Sequence, residues 1–182
     1  KDVINGFKRH DRGQLIMACG TGKTVVTLFI KERMKSNLTM VMLPSLLLVS
    51  NSLRKWTSFA EEEFEFLCVC SDRKVAKIVE PVEDDISLHE LPLVSSDPVE
   101  IKKFLSLKTN RVLFCTYQSS PLIAEVYKEK NIPPFDLVIC DEAHRCTCPA
   151  TAQFTAVLDN RNIRAKKRLF TTQIFKRAYL PA

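Results

Sequence analysis

The sequence predicts an α/β domain in three layers, with a mostly parallel central sheet between two layers of helices. Short apolar runs alternate with segments whose apolar residues recur at helical spacing. This alternation is typical of parallel strands joined by crossover helices. A glycine-rich turn joins the first apolar run to the first helical segment. No apolar run approaches the roughly 20 residues that a bilayer-spanning helix requires.

Six strands are expected, each a short apolar run that ends at a turn or a helical segment. They are residues 14–18, 39–43, 64–70, 111–116, 135–140 and 168–172. The run at 14–18 (QLIMA) is expected to be a buried strand, because it is apolar and ends in a glycine-rich turn. Pro44 ends the second run, because proline cannot donate a hydrogen bond to a sheet.

Helices are expected between these strands, at 23–35, 45–59, 98–107 and 121–130. Ser45 is a suitable N-cap for the second of them. Residues 71–110 interrupt the alternation, because they are acidic and hold three prolines. We interpret 71–110 as an acidic surface insertion within a single domain that spans 1–182. Residues 173–182 form an atypical tail.

Charge is unevenly distributed along the chain, whose net charge is +6. Residues 61–100 hold 12 Asp/Glu against 3 Lys/Arg, whereas the segments on either side are basic. Basic surface favours polyanions such as DNA or RNA, but charge alone is equally compatible with ordinary solvated faces. The basic run at 161–168 (RNIRAKKR) is interpreted as a solvated helix face, with part of a DNA path as the alternative.

Seven cysteines without a secretory signal favour a reducing, cytoplasmic location. One residue separates Cys68 from Cys70 and Cys146 from Cys148. Zinc sites usually have two to four residues between paired cysteines, so buried thiols are favoured over zinc. The chain begins at Lys1 rather than at a methionine, and we interpret it as a piece of a longer protein.

The strongest chemical signal is Gly20-Thr21-Gly22-Lys23-Thr24, which follows the first strand and begins the first helix. Glycines let the backbone curl so that successive N–H groups point at a phosphate, and the helix N-terminus adds a favourable dipole. Lys23 would reach the β- and γ-phosphates of ATP, and the Thr24 hydroxyl would ligate Mg²⁺. The plainer alternative is a glycine-rich turn with a surface lysine.

A second signal, Asp141-Glu142-Ala143-His144, follows the apolar run at 135–140. A carboxylate at the carboxyl end of a parallel strand lies where Mg²⁺ beside a phosphate loop needs a ligand. Asp141 would hold the metal through water, and Glu142 would orient and deprotonate the attacking water. The segment alone could be a charged strand end followed by a turn. Its occurrence after the phosphate loop, behind another predicted strand, favours ATP hydrolysis.

Residues 17–24 (MACGTGKT) and 141–144 (DEAH) together resemble the superfamily 2 helicases and translocases. The resemblance implies the first RecA-like domain of such a motor, in the P-loop NTPase class, with ATP and Mg²⁺ as cofactors. It implies catalytic roles for Lys23, Glu142 and His144. The implied nucleotide-binding residues are Met17, Ala18, Cys19, Gly20, Thr21, Gly22, Lys23 and Thr24, and the implied metal ligands are Thr24 and Asp141.

Two further stretches, 42–50 (MLPSLLLVS) and 114–119 (FCTYQS), are similar to family segments that lie along a nucleic-acid strand. The residues implied to contact its backbone are Pro44, Ser45, Thr116, Tyr117 and Gln118. Residues 11–17 (DRGQLIM) and 168–170 (RLF), among others, resemble the helicase-like domain of Type ISP restriction–modification enzymes. This closer resemblance implies a DNA translocase that acts in defence against phage DNA.

The sequence departs from the family in three places. The adenine-recognising glutamine lies upstream of the phosphate loop in the family, and Gln14 is too close to that loop for the role. Thr172-Gln173-Ile174 stands where relatives have Thr-Ala-Thr, the segment that His144 would contact to couple hydrolysis to movement. The second RecA-like domain, an expected partner that supplies an arginine finger in the family, does not lie within the 182 residues.

Two other functions stay open at this point. Another P-loop phosphotransferase, such as a small-molecule kinase, would need an acceptor site and an arginine-rich lid, and the sequence shows no such pattern. A catalytically incomplete nucleotide- or DNA-binding piece is compatible with the departures above. Turnover stimulated by nucleic acid would distinguish a motor from the first, and any turnover would exclude the second.

Overall fold

The computed structural model describes residues 2–18, 20–70, 93–143 and 156–173. The strands in these residues are β1 Arg12–Met17, β2 Leu38–Leu43, β3 Glu65–Val69, β4 Val94–Ser95, β5 Arg111–Thr116, β6 Phe135–Cys140 and β7 Ala165–Gln173. The helices are α1 Asp2–Phe7, α2 Lys23–Arg33, α3 Leu46–Phe59, α4 Pro98–Ser106 and α5 Ser120–Val126. Short 3₁₀ turns lie at Tyr117–Ser119 and Ala156–Leu158.

The strands form one sheet in the order β1-β7-β6-β2-β5-β3-β4. Every neighbouring pair is parallel, so the carboxyl ends of all these strands lie at one edge of the sheet. The loops that follow β1, β2, β5 and β6 therefore gather along that edge. The expected α/β class with a parallel sheet is confirmed.

Two cores, one on each face of the sheet, give the domain three layers. The central strand β2 is buried along its whole length, with Met40 and Met42 in one core and Val41 and Leu43 in the other. The first core includes residues of α4 and α5, and the second includes residues of α1, α2 and α3. Burial on both faces explains why this strand is apolar without alternation.

The first strand was expected to be buried, and this expectation is wrong. Among the described strands, β1 pairs only with β7, so it lies at the edge of the sheet. Exposed and half-buried residues alternate along it, and Ile16 is 53% exposed. An apolar run of this length does not by itself distinguish an edge strand from a central one.

The described part of the acidic segment, residues 93–110, differs from the expected surface insertion. Strand β4 pairs with β3, and the side chains of Ile101 and Leu105 in α4 are fully buried in the core. The helix expected at 98–107 is present as α4, and its acidic Glu100 lies on the exposed face. Residues 71–92 and the tail from 174 to 182 lie outside the described residues.

The basic run at 161–168 was expected to be a solvated helix face, and this is also wrong, because the run forms a turn and the start of β7. Arg168 is buried and donates hydrogen bonds to the carbonyls of Val157 at 2.8 Å and Ile163 at 2.6 Å. Lys166 and Lys167 form ion pairs with aspartates. These residues lie where β7 begins, at the edge of the sheet opposite the phosphate loop.

Among the described residues, Cys68, Cys70, Cys115 and Cys140 are buried and are not joined in disulfide bonds. Burial raises the pKa of Cys68 and of Cys70 to about 12, so both are protonated thiols near neutral pH. Cys146 and Cys148 lie outside the described residues. No helix in the described part of the chain has the length and apolar character to cross a membrane.

Candidate nucleotide-binding site

The phosphate loop lies between β1 and α2 at the carboxyl edge of the sheet. Gly20 and Gly22 have φ angles of 76° and 85°, in the left-handed region that favours glycine. A Cβ at either position would meet nothing within 4 Å, so the backbone conformation, and not crowding, calls for glycine. The Thr21 hydroxyl closes the turn by donating to the Ala18 carbonyl at 2.7 Å. Both glycines are exposed, with open space where a side chain would lie.

Helix α2 begins at Lys23, directly after Gly22, and no side chain caps it. Its first N–H groups are therefore available to an anion. The carbonyl of Thr24 accepts hydrogen bonds from the Trp56 indole at 3.0 Å and from the Thr27 hydroxyl at 2.8 Å. Since Trp56 belongs to α3 and is fully buried, it anchors the start of α2 to the neighbouring helix.

Asp141 follows β6 and is held from three directions. Its N–H donates to the Met42 carbonyl at 2.9 Å. Its own carbonyl accepts from the Tyr117 hydroxyl at 2.8 Å, and its side-chain Oδ1 accepts from the Thr171 hydroxyl. These bonds tie the residue to β2, to the turn after β5 and to β7, so both its backbone and its carboxylate are fixed.

Glu142 lies next to the phosphate loop, although 119 positions separate it from Lys23. The Lys23 Nζ donates to the Glu142 Oε1 at 3.0 Å, and the two side chains are only 11% and 12% exposed. Glu142 has a φ of 50°, which a residue with a side chain rarely adopts. The fold thus brings together the two segments that the sequence marked for ATP chemistry and holds one of them in a strained conformation.

The first stretch expected to contact nucleic acid lies at the start of α3, on the same edge of the sheet. Pro44 and Ser45 are half-buried. The Ser45 Oγ accepts a hydrogen bond from the Leu48 N–H at 3.4 Å, so this serine caps the helix, as expected from the sequence. Both residues lie in the connection that follows β2, and in the sheet β6 separates β2 from β7.

The second stretch, after β5, departs from the expectation. Thr116 and Tyr117 are 4% and 1% exposed, and the Thr116 hydroxyl is hydrogen-bonded to the Ser119 hydroxyl at 2.9 Å. Of the three residues expected to contact nucleic acid here, Gln118 alone is exposed. Both side chains point into the domain, where the Thr116 hydroxyl closes the turn and the Tyr117 ring packs in the core.

The expected Cys19 and His144 lie outside the described residues, as does Ile174. Thr172 lies in β7, beside Ile16 of β1. The contacts that the sequence did not predict are those of Trp56, Thr171 and Tyr117, each of which links strands or helices far apart in the chain. A hydroxyl residue at the carboxyl end of the last strand is the one local signal that could have indicated Thr171.

The chain matches the family model described as "Type III restriction enzyme, res subunit" over residues 1–174. A probable helicase, A859L, of African swine fever virus (isolate Tick/South Africa/Pretoriuskop Pr4/1996) is 32% identical over 167 residues, covering 91% of this chain and 17% of the viral protein.

Two solved structures are also similar. The Type ISP restriction-modification enzyme LlaGI, as a nuclease-deletion mutant in complex with a DNA substrate mimic, is 33% identical with a TM-score of 0.73; 94% of this chain and 16% of that one are covered. The ATP-dependent Type ISP enzyme LlaBIII bound to DNA is 32% identical with a TM-score of 0.76; the coverage is 94% and 12%.

The chain spans less than a fifth of each of these relatives. The match to the family model nevertheless covers most of the chain and includes both the phosphate loop and the Asp141–Glu142 turn. The chain therefore belongs to the helicase-like family of the res subunit of Type III restriction enzymes.

Proposed function

We propose that this chain is the ATP-binding motor domain of a longer DNA helicase or translocase, one that works in a restriction–modification system. The observation that carries the proposal is the 3.0 Å ion pair between Lys23 and Glu142, because it joins the phosphate loop to a candidate base for water activation. The whole protein's activity, its DNA substrate and a second RecA-like domain as partner are parts of the same proposal, as is a single domain over residues 1–182 with an atypical tail at 173–182.

The residues present fit a nucleoside triphosphate with Mg²⁺. A side chain at Gly20 or Gly22 would meet only open space, and α2 begins directly after Gly22 with no side-chain cap. Hydroxyl and carboxylate oxygens are the ligands that Mg²⁺ prefers, and Thr24 and Asp141 supply one of each. A bound Mg²⁺ would neutralise charge on the phosphate oxygens. The proposed nucleotide-binding residues are Met17, Ala18, Cys19, Gly20, Thr21, Gly22, Lys23 and Thr24.

In the proposed mechanism, each residue of the site has a separate role in ATP hydrolysis. Lys23 supplies the positive charge for the β- and γ-phosphates. Its ion pair keeps the Glu142 carboxylate beside the loop, where an Oε atom would orient the attacking water and accept its proton. The Thr171 hydroxyl holds the Asp141 carboxylate in place. The role proposed for His144 is the one that the family resemblance implies, which is to couple ATP hydrolysis to movement along DNA.

DNA would lie along the carboxyl edge of the sheet, on the start of α3 and the turn after β5. Pro44, Ser45 and Gln118 are the candidate contacts, together with the backbone of the turn at Thr116 and Tyr117. Phosphate contacts of this kind position a duplex without reading its sequence. LlaGI and LlaBIII were solved with DNA or a DNA mimic, which supports DNA as the polymer. The buried thiols suit a cytoplasmic location.

The test is ATP hydrolysis by the full-length protein that contains this chain, with and without duplex DNA. Lys23→Ala and Glu142→Gln are compared with wild type, and Lys128→Ala serves as a control because that lysine is 75% exposed. DNA is expected to raise the wild-type and control rates, and each site variant is expected to lose at least about 100-fold. A wild-type protein without turnover would favour the catalytically incomplete alternative, and turnover that DNA leaves unchanged would favour another phosphotransferase.

A further inference from the structure

Tyr117 lies between two parts of the domain to which the proposed function assigns different tasks. It belongs to the 3₁₀ turn Tyr117–Ser119 that follows β5, next to the exposed Gln118. Its ring is 1% exposed and packs in the core on the α5 side of the sheet. Its hydroxyl donates a hydrogen bond to the Asp141 carbonyl at 2.8 Å. One side chain thus spans from a candidate DNA contact to the candidate catalytic turn.

The hydrogen bond acts on the peptide unit that carries Glu142. The Asp141 carbonyl and the Glu142 N–H belong to the same planar peptide, so fixing that carbonyl restricts rotation of the plane and the φ of Glu142. That φ is 50°, a conformation that a residue with a side chain keeps only when its surroundings impose it. The Tyr117 hydroxyl is therefore one of the contacts that hold Glu142 at 3.0 Å from Lys23.

The turn around Tyr117 is closed by its own hydrogen bonding. The hydroxyls of Thr116 and Ser119 are hydrogen-bonded at 2.9 Å across it, and three consecutive residues form a single tight 3₁₀ turn. Any displacement of this closed turn by a phosphate backbone bound at Gln118 would therefore reach Tyr117 and change the distance from its hydroxyl to the Asp141 carbonyl. The direction of Glu142 would change with it.

We propose that Tyr117 is a positioning residue that transmits binding of DNA at the 116–118 turn to Glu142 through the Asp141 carbonyl. This inference rests on the proposed function, because it requires both the DNA contact and ATP hydrolysis. It replaces the nucleic-acid contact that the sequence suggested for the tyrosine side chain, which is buried. Only the hydroxyl is assigned the coupling, since the ring serves the core.

The test is Tyr117→Phe in the full-length protein, which removes one hydroxyl and keeps the ring. The measured quantity is the ratio of the ATP hydrolysis rate with saturating duplex DNA to the rate without DNA. Loss of one hydrogen bond should lower this ratio by about 3- to 10-fold. Tyr127→Phe is the matched control, because its hydroxyl also donates to a backbone carbonyl, that of Pro133 at 2.8 Å, and its ring is 3% exposed. The control is expected to keep the wild-type ratio.

Each other outcome overturns the inference for a distinct reason. If wild type is not stimulated by DNA, the proposed function itself fails. If wild type and Tyr127→Phe are stimulated and Tyr117→Phe matches them, or loses both rates in equal proportion, the proposed function stands and the coupling role is wrong. A double variant with Gln118→Ala gives a second check. If Tyr117 and Gln118 act on one route, the reductions in the logarithm of the stimulation ratio caused by Tyr117→Phe and Gln118→Ala should be less than additive in the double variant. Full additivity would contradict the inference.

Discussion

The ion pair between Lys23 and Glu142 can be isolated by a double-mutant cycle of Lys23→Ala and Glu142→Gln. The two charges are 3.0 Å apart, and at an effective dielectric constant of about 20 their attraction is about 5–6 kcal/mol. Desolvation of two side chains that are only 11% and 12% exposed offsets most of this attraction. We therefore expect a coupling free energy of about 1–2 kcal/mol.

The assay is urea unfolding of the four proteins, followed by circular dichroism. The pair of Lys102 and Glu129 provides a control, because its side chains are 46% and 54% exposed and such pairs contribute about 0.2–1 kcal/mol. In about 0.5 M NaCl the coupling of the control pair should vanish, whereas that of Lys23 and Glu142 should largely persist, since buried pairs are screened less. A coupling no larger than that of the control, or one that disappears in salt, would refute the site geometry.

Three further predictions concern the site and the buried core. Trp56→Phe removes the indole bond to the Thr24 carbonyl and leaves a small cavity; we expect the free energy of unfolding to fall by about 2 kcal/mol, and a change under about 0.5 kcal/mol in urea unfolding would contradict this. Gly22→Ala places a Cβ at a φ of 85°, which costs about 1–2 kcal/mol. Titration with ATPγS should therefore show an affinity weakened by about 5- to 30-fold. Unchanged affinity would contradict the proposal that this loop binds the nucleotide. Burial raises the thiol pKa of Cys68 and Cys70 from 9.0 to about 12. The neutral thiols thus stabilise the fold below about pH 9, and this contribution is lost as pH rises towards 12. Stability should fall over that window, and both thiols should react with Ellman's reagent at pH 8 only as the chain unfolds; rapid reaction of either one in the folded protein would be inconsistent with this burial.

The sequence was sufficient to predict the strands at the centre of the sheet and the glycine-rich turn at 20–24. β5 and β6 begin and end at the predicted residues, because a strand buried on both faces is apolar throughout and ends sharply. The conformation of the turn at 20–24 was predictable because it depends on particular residue types in a contiguous run. Glycines at left-handed positions, followed by a lysine at a helix start, are a local pattern.

Sequence reasoning failed where the decisive contacts are distant in the chain. Nothing local marks β1 as an edge strand, since its place depends on which strands pair beside it. The helix at 98–107 was expected, but the acidic charge and the prolines of 71–110 suggested that it belonged to a surface insertion, whereas Ile101 and Leu105 of α4 are in the core. The basic run that includes Arg168 was interpreted as solvated because charge indicates exposure on average, whereas two carbonyls satisfy its guanidinium inside the domain.

The same distinction between local motifs and distant contacts applies to the residues of the candidate site. Lys23 and Glu142 could be proposed from motifs, and the fold brings them together as expected. The contacts of Tyr117 and Thr171 with Asp141 were not proposed. The position of a hydroxyl residue near the end of the last strand could have indicated Thr171, whereas no local signal indicates which carbonyl the Tyr117 hydroxyl meets. Burial of Tyr117 also changed its interpretation from a DNA contact to a positioning residue.

The most direct test of the nucleotide site is a calorimetric titration of the 182-residue chain with ATPγS in the presence of Mg²⁺. Wild type and the exposed-lysine control Lys128→Ala are expected to bind with equal affinity, and Lys23→Ala is expected to bind at least about 10-fold more weakly, because it loses a charge-assisted contact to phosphate. Equal binding by all three proteins, or no binding by wild type, would contradict the assignment of Gly20–Thr24 to an ATP site.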